Sequence, residues 1–377
     1  MSHIETNKKD LCTGCGVCKN VCPVKAIHFL EDKEGFLSPT VDEEKCVNCG
    51  WCLHYCHLQC NDELVHIKCV DNQYAVKVKD DKIRQHSRSG GVFVELSNEI
   101  IRQDGVVYGA IMPDCYHVVH TRAETRDVRD AMCGSKYVQS DTIDIWNAFK
   151  DDIKSGRPVL FTGSPCQIAA AARIADKEYN NLYLCDFICH GVPGGGFWRD
   201  YLSFMEKKYN RKITFFDFRD KKDHPWGSHV EKLEFDNKII WSRRYTNIFS
   251  SNNCLRRSCF SCPYTVMERV SDFTIGDYWG IDKAAPEFND SRGISLVLVR
   301  GKKGTELFDA IKSKIDFIDT SSVPPEHYNL KRPTAMPDTY YDFWSDYHKY
   351  GFEYVSKKYG QYDLARRIKH KIVDKID

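Results

Sequence analysis

Two runs of four cysteines near the start of the 377-residue chain constrain its fold more than any other feature. Both have the spacing C-x2-C-x2-C-x3-C, in which three sulfurs fold around one iron-sulfur cube and the fourth reaches the other cube. Cys22 is followed by Pro23, as that pattern has it, whereas Cys56 is followed by His57. The spacing predicts two 4Fe-4S clusters with exchanged fourth ligands. The first cysteine set is Cys12, Cys15, Cys18 and Cys56, and the second cysteine set is Cys46, Cys49, Cys52 and Cys22.

Two other uses of closely spaced cysteines fit this pattern less well. Structural zinc needs two close pairs, whereas each set here uses three closely spaced cysteines and one distant one. A disulfide framework needs an oxidising compartment, but the first residues, MSHIETNKKD, contain no apolar stretch typical of a signal peptide. We therefore rank iron-sulfur clusters ahead of zinc, and zinc ahead of disulfides.

Composition indicates a polar chain with at least two domains, because the length exceeds that at which a single core stops growing. The 54 basic and 53 acidic residues nearly cancel, so no nucleic-acid partner is expected. No apolar run reaches the length of a transmembrane helix, and we expect a cytoplasmic protein. The chain contains 18 cysteines, and many thiolates and iron-sulfur clusters would be damaged by air. We therefore expect the protein in an anaerobic or strongly reducing cell.

The domain organisation follows from the cysteine runs and from apolar periodicity. Residues 1–66 are expected to form a bacterial-type ferredoxin domain with two 4Fe-4S clusters and short strands at Ala26–Leu30 and Gly35–Thr40. Residues 67–322 are expected to form a larger mixed α/β catalytic domain. Residues 323–377 are expected to form a helical C-terminal extension, which ends in a four-residue apolar repeat at Leu364, Ile368, Ile372 and Ile376.

Strands and helices alternate in the first half of the larger domain, which is typical of an α/β unit. Strands are expected at Val106–Ile111, Pro158–Thr162 and Leu182–Ile188, and helices around Thr142–Lys154 and Gln167–Ala175. Short connections then favour antiparallel strands at Ile213–Arg219, His229–Phe235 and Lys238–Arg243, and an apolar strand follows at Ile294–Val299. The fold class is therefore α+β, or mixed α/β.

Further cysteines suggest a third cluster in the larger domain. Cys166 and Cys189 follow predicted strands, where α/β folds place ligands, and NCLRRSCFSC supplies a C-x4-C-x2-C set. Our third cysteine set is Cys166, Cys189, Cys259 and Cys262, with Cys254 as an alternative member. Spacing alone leaves a third 4Fe-4S cluster, a zinc site and buried free thiols open.

Glycine-rich turns and the chemistry of the clusters point to a flavin. Ser89, Gly90 and Gly91 precede a predicted helix, whose backbone N–H groups suit a phosphate, and GSKYVQS from Gly134 adds Lys136. The chain contains no G-x-G-x-x-G and no G-x-x-x-x-G-K-[ST] motif. Iron-sulfur clusters pass single electrons, whereas organic reductions need two, and a flavin joins these two regimes.

The motifs together resemble the coenzyme F420 hydrogenase/dehydrogenase beta subunit family over nearly the whole chain. Besides the cysteine runs, the matching segments are SGGVF from Ser89, GSKYVQS from Gly134, VLFTGSPCQIA from Val159, CHGVP from Cys189, FRDK from Phe218, LRRSCFSC from Leu255 and DFTIGDYWG from Asp272. Their order is also similar to that of family members in bacterial polysaccharide gene clusters, where F420 need not be the substrate.

The resemblance implies an FAD and an additional 4Fe-4S cluster in the mixed α/β domain. Carried over by position, it assigns the cluster to the third cysteine set. It assigns FAD contacts to Ser89, Gly90, Gly91, Gly134, Ser135, Lys136 and Tyr137.

Two residues are candidates for acid-base work beside the flavin. His190 follows a proposed cluster ligand and has an ordinary pKa near neutrality, so it suits proton exchange, although a histidine fixed in a turn is the commoner case. Asp277 in IGDYWG is similarly placed, but an aspartate there also suits a loop cap. Weaker candidates for holding an anionic or ring-bearing substrate are Arg219, Lys221, Trp226 and Trp279.

These features predict an iron-sulfur flavoprotein oxidoreductase that exchanges electrons between a ferredoxin or other redox protein and a small-molecule substrate. F420 and a polysaccharide-pathway metabolite are the candidate substrates. The alternative is an electron-transfer subunit that serves a partner hydrogenase or dehydrogenase and has no substrate of its own. Self-association into a homo-oligomer stays open.

Overall fold

A computed structural model of the chain describes residues 3–4, 10–59 and 67–360. The predicted apolar repeat at Leu364, Ile368, Ile372 and Ile376 lies outside these residues. In the described part the strands are β1 (Ile27–Glu31), β2 (Leu37–Val41), β3 (Asn72–Val78), β4 (Val106–Ile111), β5 (Val119–Ala123), β6 (Val159–Gly163), β7 (Leu182–Phe187), β8 (Ile213–Asp217), β9 (Glu231–Phe235), β10 (Lys238–Ser242), β11 (Phe273–Asp277), β12 (Ser295–Val299) and β13 (Ile315–Asp319).

The α-helices of the same residues range from four residues to the 19 residues of the last helix. They are α1 (Val17–Val21), α2 (Trp51–His54), α3 (Asp81–His86), α4 (Val92–Arg102), α5 (Arg126–Asp130), α6 (Trp146–Lys154), α7 (Pro165–Ala175), α8 (Gly195–Tyr209), α9 (Arg244–Ser250), α10 (Ile281–Ala284), α11 (Gly301–Ile311) and α12 (Tyr340–Lys358). A 3-10 turn at Arg257–Ser261 contains Cys259 and ends directly before Cys262.

The N-terminal domain consists of α1, α2 and an antiparallel pair, β1 and β2, with Ile27 opposite Val41. Helix α1 begins at Val17 and helix α2 at Trp51, so each begins between the second and the third cysteine of its run. The third cysteine of each run therefore lies in the first turn of a helix. The ferredoxin-like fold predicted from the cysteine spacing is confirmed.

The larger domain is built on an eight-stranded mixed sheet in the order β13-β3-β12-β11-β7-β6-β4-β5. Its centre is parallel, through the pairs β4 with β6, β6 with β7, and β7 with β11. Its two edges are antiparallel, through β4 with β5 on one side and β12 and β13 with β3 on the other. The carboxyl ends of the parallel strands therefore meet at one edge, where open α/β sheets bind ligands.

Helices cover both faces of this sheet, because successive residues of each strand point to opposite sides. Val107 packs with Leu96 of α4 and Phe308 of α11, whereas Tyr108 packs with Phe149 of α6 and Ile168 of α7. The mixed α/β class predicted from the alternating pattern is confirmed.

A separate antiparallel sheet, β10-β9-β8, lies beside the main sheet, and its strands were expected from the sequence. It shares an apolar cluster with α8 and α12, in which Trp198 and Phe216 pack near Phe343 and Trp344. Helix α12 is thus part of the core of the larger domain.

Candidate cofactor sites

The first and second cysteine sets surround two separate cavities in the N-terminal domain. The first set lines a cavity of about 30 Å³, and the second set lines one of about 20 Å³. Cys56 lies with the first run and Cys22 with the second, which is the exchange that the spacing predicts. None of these eight cysteines forms a disulfide bond within the described part of the chain.

Backbone amides point at the sulfurs of both sets. Gly14 N–H donates to Cys12 Sγ at 3.3 Å, Ala26 N–H to Cys22 Sγ at 3.2 Å, and Ile4 N–H to Cys52 Sγ at 3.0 Å. Such bonds tune iron-sulfur thiolates in proteins, so the donor chemistry fits a cluster at each place. Burial raises the pKa of Cys15 and Cys18, and cluster assembly would release their protons.

The two sets differ in their distance from solvent. In the second set Cys49 is exposed, and beside it Val47 and Trp51 are 60% and 54% exposed. In the first set the carbonyl oxygen of Cys15 accepts hydrogen bonds from Thr142 Oγ1 and Trp146 Nε1, both at 2.9 Å. The first set therefore faces the larger domain, and the second faces outward.

Arg256 fixes the N-terminal domain to the larger one. This buried residue donates from Nη1 to the carbonyl of Cys12 at 2.8 Å and from Nη2 to that of Leu37 at 2.6 Å. Its Nε donates to the side chain of Gln139, which in turn donates to the carbonyl of Thr13. Arg256 lies three residues before Cys259, so the segment that supplies two cysteines of the third set also docks the first set.

The third cysteine set lines a large cavity of about 380 Å³ at the carboxyl edge of the parallel strands. Cys166 lies in the first turn of α7 after β6, Cys189 follows β7, and the 3-10 turn supplies Cys259 and Cys262 next to it. Burial raises the pKa of Cys259 and of Cys262 to about 12. Cys254, the alternative member, lies away from this cavity in the apolar cluster of α8 and α12.

The first and third cysteine sets are neighbours. Tyr264 lies between them: burial raises its pKa, and so do the nearby thiolates of both sets. Its hydroxyl is 2.5 Å from Nδ1 of His57, whose Nε2 is 3.1 Å from Thr13 Oγ1. Leu11, Thr13 and Leu58 line both the first cavity and the large one. One thin layer of side chains therefore separates the two sets.

Most residues assigned to FAD line the same large cavity as the third cysteine set. These are Ser89, Gly91, Gly134, Ser135, Lys136 and Tyr137. Gly91 and Gly134 have φ values of +89° and +84°, a left-handed conformation that glycine adopts without a steric penalty. Gly90 instead packs against the sheet, where its N–H donates to Ser295 Oγ at 3.0 Å.

The cations near these turns are arranged differently from the sequence prediction. Lys136 Nζ donates to three carbonyls at the end of α5, and burial lowers the pKa of Lys136 to about 8. Arg88, which the sequence analysis did not single out, lines the cavity beside Gly134 and pairs with Asp217. Its buried Nε has no hydrogen-bond partner among the described residues. The cavity volume and this free donor fit a phosphate-bearing cofactor. The only sequence signal for Arg88 is its position directly before SGG.

His190 and Asp277 both line the cavity, but they are held differently. His190 lies 2.6 Å from Asn252 Oδ1 through Nε2, and burial lowers its pKa, so the ring is neutral near pH 7. Both oxygens of Asp277 are engaged, by Arg219 Nη1 at 2.5 Å and by Trp226 Nε1 at 3.1 Å. Arg219 and Trp226 therefore fix the orientation of the Asp277 carboxylate.

The weaker candidates are also tied to protein groups. Trp226 stacks on Trp279 with ring centroids 4.9 Å apart, and neither ring lines the cavity. Lys221 Nζ donates to three carbonyls, including that of Ser89, and burial lowers the pKa of Lys221 to about 7. Lys221 thus holds the loop before α4 in place.

His120 is a cavity residue that sequence reasoning missed, because no motif surrounds it. Its Nε2 donates to the carbonyl of Thr162 at 2.8 Å, and its Nδ1 accepts from Ser140 Oγ at 2.9 Å. Burial lowers its pKa to about 4, which keeps the imidazole neutral. Gln167 and Ser164 extend this hydrogen-bonded network to the sulfur of Cys166.

Within the described part of the chain, no three His, Cys, Asp or Glu side chains converge closely enough to hold a single metal ion. The cysteine sulfurs line cavities instead. No helix in the same residues is long and apolar enough to cross a membrane.

Two family models match the chain. Residues 11–60 match a 4Fe-4S dicluster domain, and residues 156–323 match the C terminus of the coenzyme F420 hydrogenase/dehydrogenase beta subunit. The second match contains the third cysteine set, His190 and Asp277.

Curated relatives match over short segments. The chain is 49% identical over 45 residues to one component of the Na(+)-translocating ferredoxin:NAD(+) oxidoreductase complex of Acetobacterium woodii, which is 12% of this chain and 12% of that protein. It is 37% identical over 60 residues to an uncharacterized polyferredoxin-like protein of Methanocaldococcus jannaschii, which is 13% of this chain and 33% of that protein. The chain thus spans a third or less of the length of these relatives.

Among solved structures, the chain is similar to one in a xenon-derivatized F420-reducing NiFe hydrogenase complex from Methanosarcina barkeri. The TM-score is 0.47 and the sequence identity is 15%, and the match covers 79% of this chain and 93% of that one.

Proposed function

This chain belongs, through residues 156–323, to the coenzyme F420 hydrogenase/dehydrogenase beta subunit family, and we propose that it is an iron-sulfur flavoprotein oxidoreductase. That it is an iron-sulfur electron-transfer protein follows from the dicluster domain joined to this family's C-terminal region. The observation that carries the proposal further is the large cavity. The four cysteines of the third set line it together with Arg88 and two glycine turns.

The cysteine sets are arranged in series, which supports a route for electrons. The second set lies at the surface, the first adjoins the larger domain, and the third lines the large cavity. Clusters held at these places would carry single electrons, and an FAD in the cavity would exchange them in pairs with a substrate. A redox protein that docks near Val47 and Trp51 would reach the outermost site.

The residues around the cavity support separate roles in cofactor binding and in proton exchange. The backbone at Gly91 and Gly134, with Arg88, would bind the anionic part of FAD, while Lys136 and Lys221 hold those turns in position. We assign proton exchange to His190, which is neutral and lines the cavity. Asp277 is assigned a positioning role, because Arg219 and Trp226 occupy both of its oxygens.

The substrate is proposed to be a small two-electron acceptor or donor, either F420 or a polysaccharide-pathway metabolite. A second function is supported by the exposed surface beside Cys49: an electron-transfer subunit that serves a partner enzyme. The two are separated by asking whether the purified chain alone, supplied with reduced ferredoxin, reduces F420 or another acceptor. Reduction by the chain alone supports the enzyme, and reduction only with a partner supports the electron-transfer role.

Anaerobic reconstitution tests the cofactor content. We expect about twelve irons per chain, about four for each cluster, and one FAD released when the protein is denatured. Stoichiometric zinc without flavin would refute the proposal.

A further inference from the structure

Arg173 is a buried cation that lacks a counter-charge among the described residues. Its side chain belongs to α7 and is 1% exposed. Nη2 donates to the carbonyl of His54, while Nε and Nη1 are buried without a hydrogen-bond partner. Other buried arginines are paired differently: Arg84 binds Asp290, and Arg269 binds Asp186.

The position of Arg173 places it between two cysteine sets. Arg173 is seven residues after Cys166, and residues seven apart lie on the same face of a helix, roughly 10 Å from one another. Ala169 and Ala170, between them, are small enough to let another segment approach closely. Cys166 therefore faces the third site, and Arg173 faces the N-terminal domain two turns further along.

The segment that Arg173 faces carries the fourth ligand of the first cysteine set. His54 lies two residues before Cys56. The hydrogen bond from Arg173 Nη2 to the His54 carbonyl therefore holds the guanidinium within two residues, along the chain, of the proposed ligand Cys56.

An unpaired guanidinium in an apolar environment is costly, so its neighbourhood must supply negative charge. A 4Fe-4S cluster with four thiolates is a buried anion, and it gains one further negative charge when it accepts an electron. A nearby cation stabilises the reduced form more than the oxidised form, which raises the reduction potential.

We propose that Arg173 is the buried counter-charge of the cluster held by the first cysteine set and raises its reduction potential. The inference rests on the proposed ligands of that cluster. One electron from a low-potential reductant enters the cluster, and no proton is taken up. The effect draws electrons from the exposed second site towards the larger domain.

Arg173→Met, which removes the charge but keeps the length, tests this in the anaerobically purified, cluster-loaded chain. Arg173→Lys keeps the charge, and Arg129→Met is the control because Arg129 is equally buried but bonded to protein groups on α4. Iron per chain is measured first, and redox titration followed by electron paramagnetic resonance then gives each midpoint potential.

We expect one of the three midpoint potentials to fall in Arg173→Met and to stay close to the wild-type value in Arg173→Lys and in Arg129→Met. Unmoved potentials in an Arg173→Met protein with full iron content would overturn the proposal, as would an equal fall in Arg173→Lys. If Arg173→Met does not fold, Arg173→Gln takes its place with the same criteria. A wild-type chain without iron would instead count against the proposed function.

Discussion

Replacing Cys189 by alanine should remove the third cluster alone. Cys189 lines the large cavity with Cys166, Cys259 and Cys262, and the charges of these three thiolates act on it. Alanine leaves one iron of the third 4Fe-4S cluster without its protein sulfur, and a cluster in this state loses iron, so the iron content should fall by up to about four of about twelve atoms per chain. The first and second sets lie in the N-terminal domain and keep all their sulfurs, so their share should remain.

Cys254→Ala is the matched control. Cys254 belongs to the same NCLRRSCFSC segment and is also buried, but it packs in the apolar cluster of α8 and α12. Its removal should leave the iron content unchanged. Iron and acid-labile sulfide per chain, with Mössbauer spectra of both proteins, provide the readout. Full iron in Cys189→Ala, or a loss of about four irons in Cys254→Ala, would refute the assignment of the third set.

Two further predictions concern the turns around the cavity. Gly134→Ala places a side chain on a residue in the left-handed conformation, which costs about 1 kcal/mol. The new Cβ atom would lie 3.2 Å from Arg88 Nη2. FAD affinity, measured by fluorescence titration, should therefore weaken by roughly fivefold to tenfold. Gly156 has a φ of +81° and open space around it, so Gly156→Ala imposes the same backbone strain elsewhere in the fold and should leave FAD affinity unchanged. Equal FAD affinities of the two variants would contradict the proposed site. Burial lowers the pKa of Lys221 to about 7 in the folded chain. Between about pH 7 and 10, only the unfolded chain holds the proton on this side chain. The free energy of unfolding should therefore rise with pH in that window. Lys221→Met should flatten that rise in melting temperature, and parallel pH profiles of the two proteins would argue against it.

Much of the local structure could be predicted, because its signals lie in short stretches of sequence. The strand Val106–Ile111 was expected with its observed bounds, and the antiparallel strands β8, β9 and β10 began within two residues of their expected positions. The strands β5, β11 and β13 were missed. Strand β11 has the sequence FTIGD, which contains a glycine and ends in an aspartate. It therefore lacks the continuous apolar run that is typical of a central strand.

The candidate site was predictable where spacing carried the information and obscure where it did not. The cysteines of the third set were expected to converge because two of them follow parallel strands. Arg88 and His120 carry no motif, and the sequence does not show that Lys136 and Lys221 bind carbonyl groups instead of a ligand. Whether a cation faces a cavity or a helix end depends on which backbone groups lie nearby.

The sequence by itself determined the positions of the two cysteine runs, the predicted exchange of their fourth cysteines and the alternation of strands and helices, because these depend on spacings of a few residues. Only the tertiary structure decided that β3 pairs with β12 and β13, more than 200 residues later in the chain. It also decided that the first cysteine set lies against the third and that Arg173 faces the segment of Cys56. Such contacts depend on how the segments pack together in the folded chain. A short stretch of sequence shows that it has an apolar face, but it does not show which other segment that face packs against.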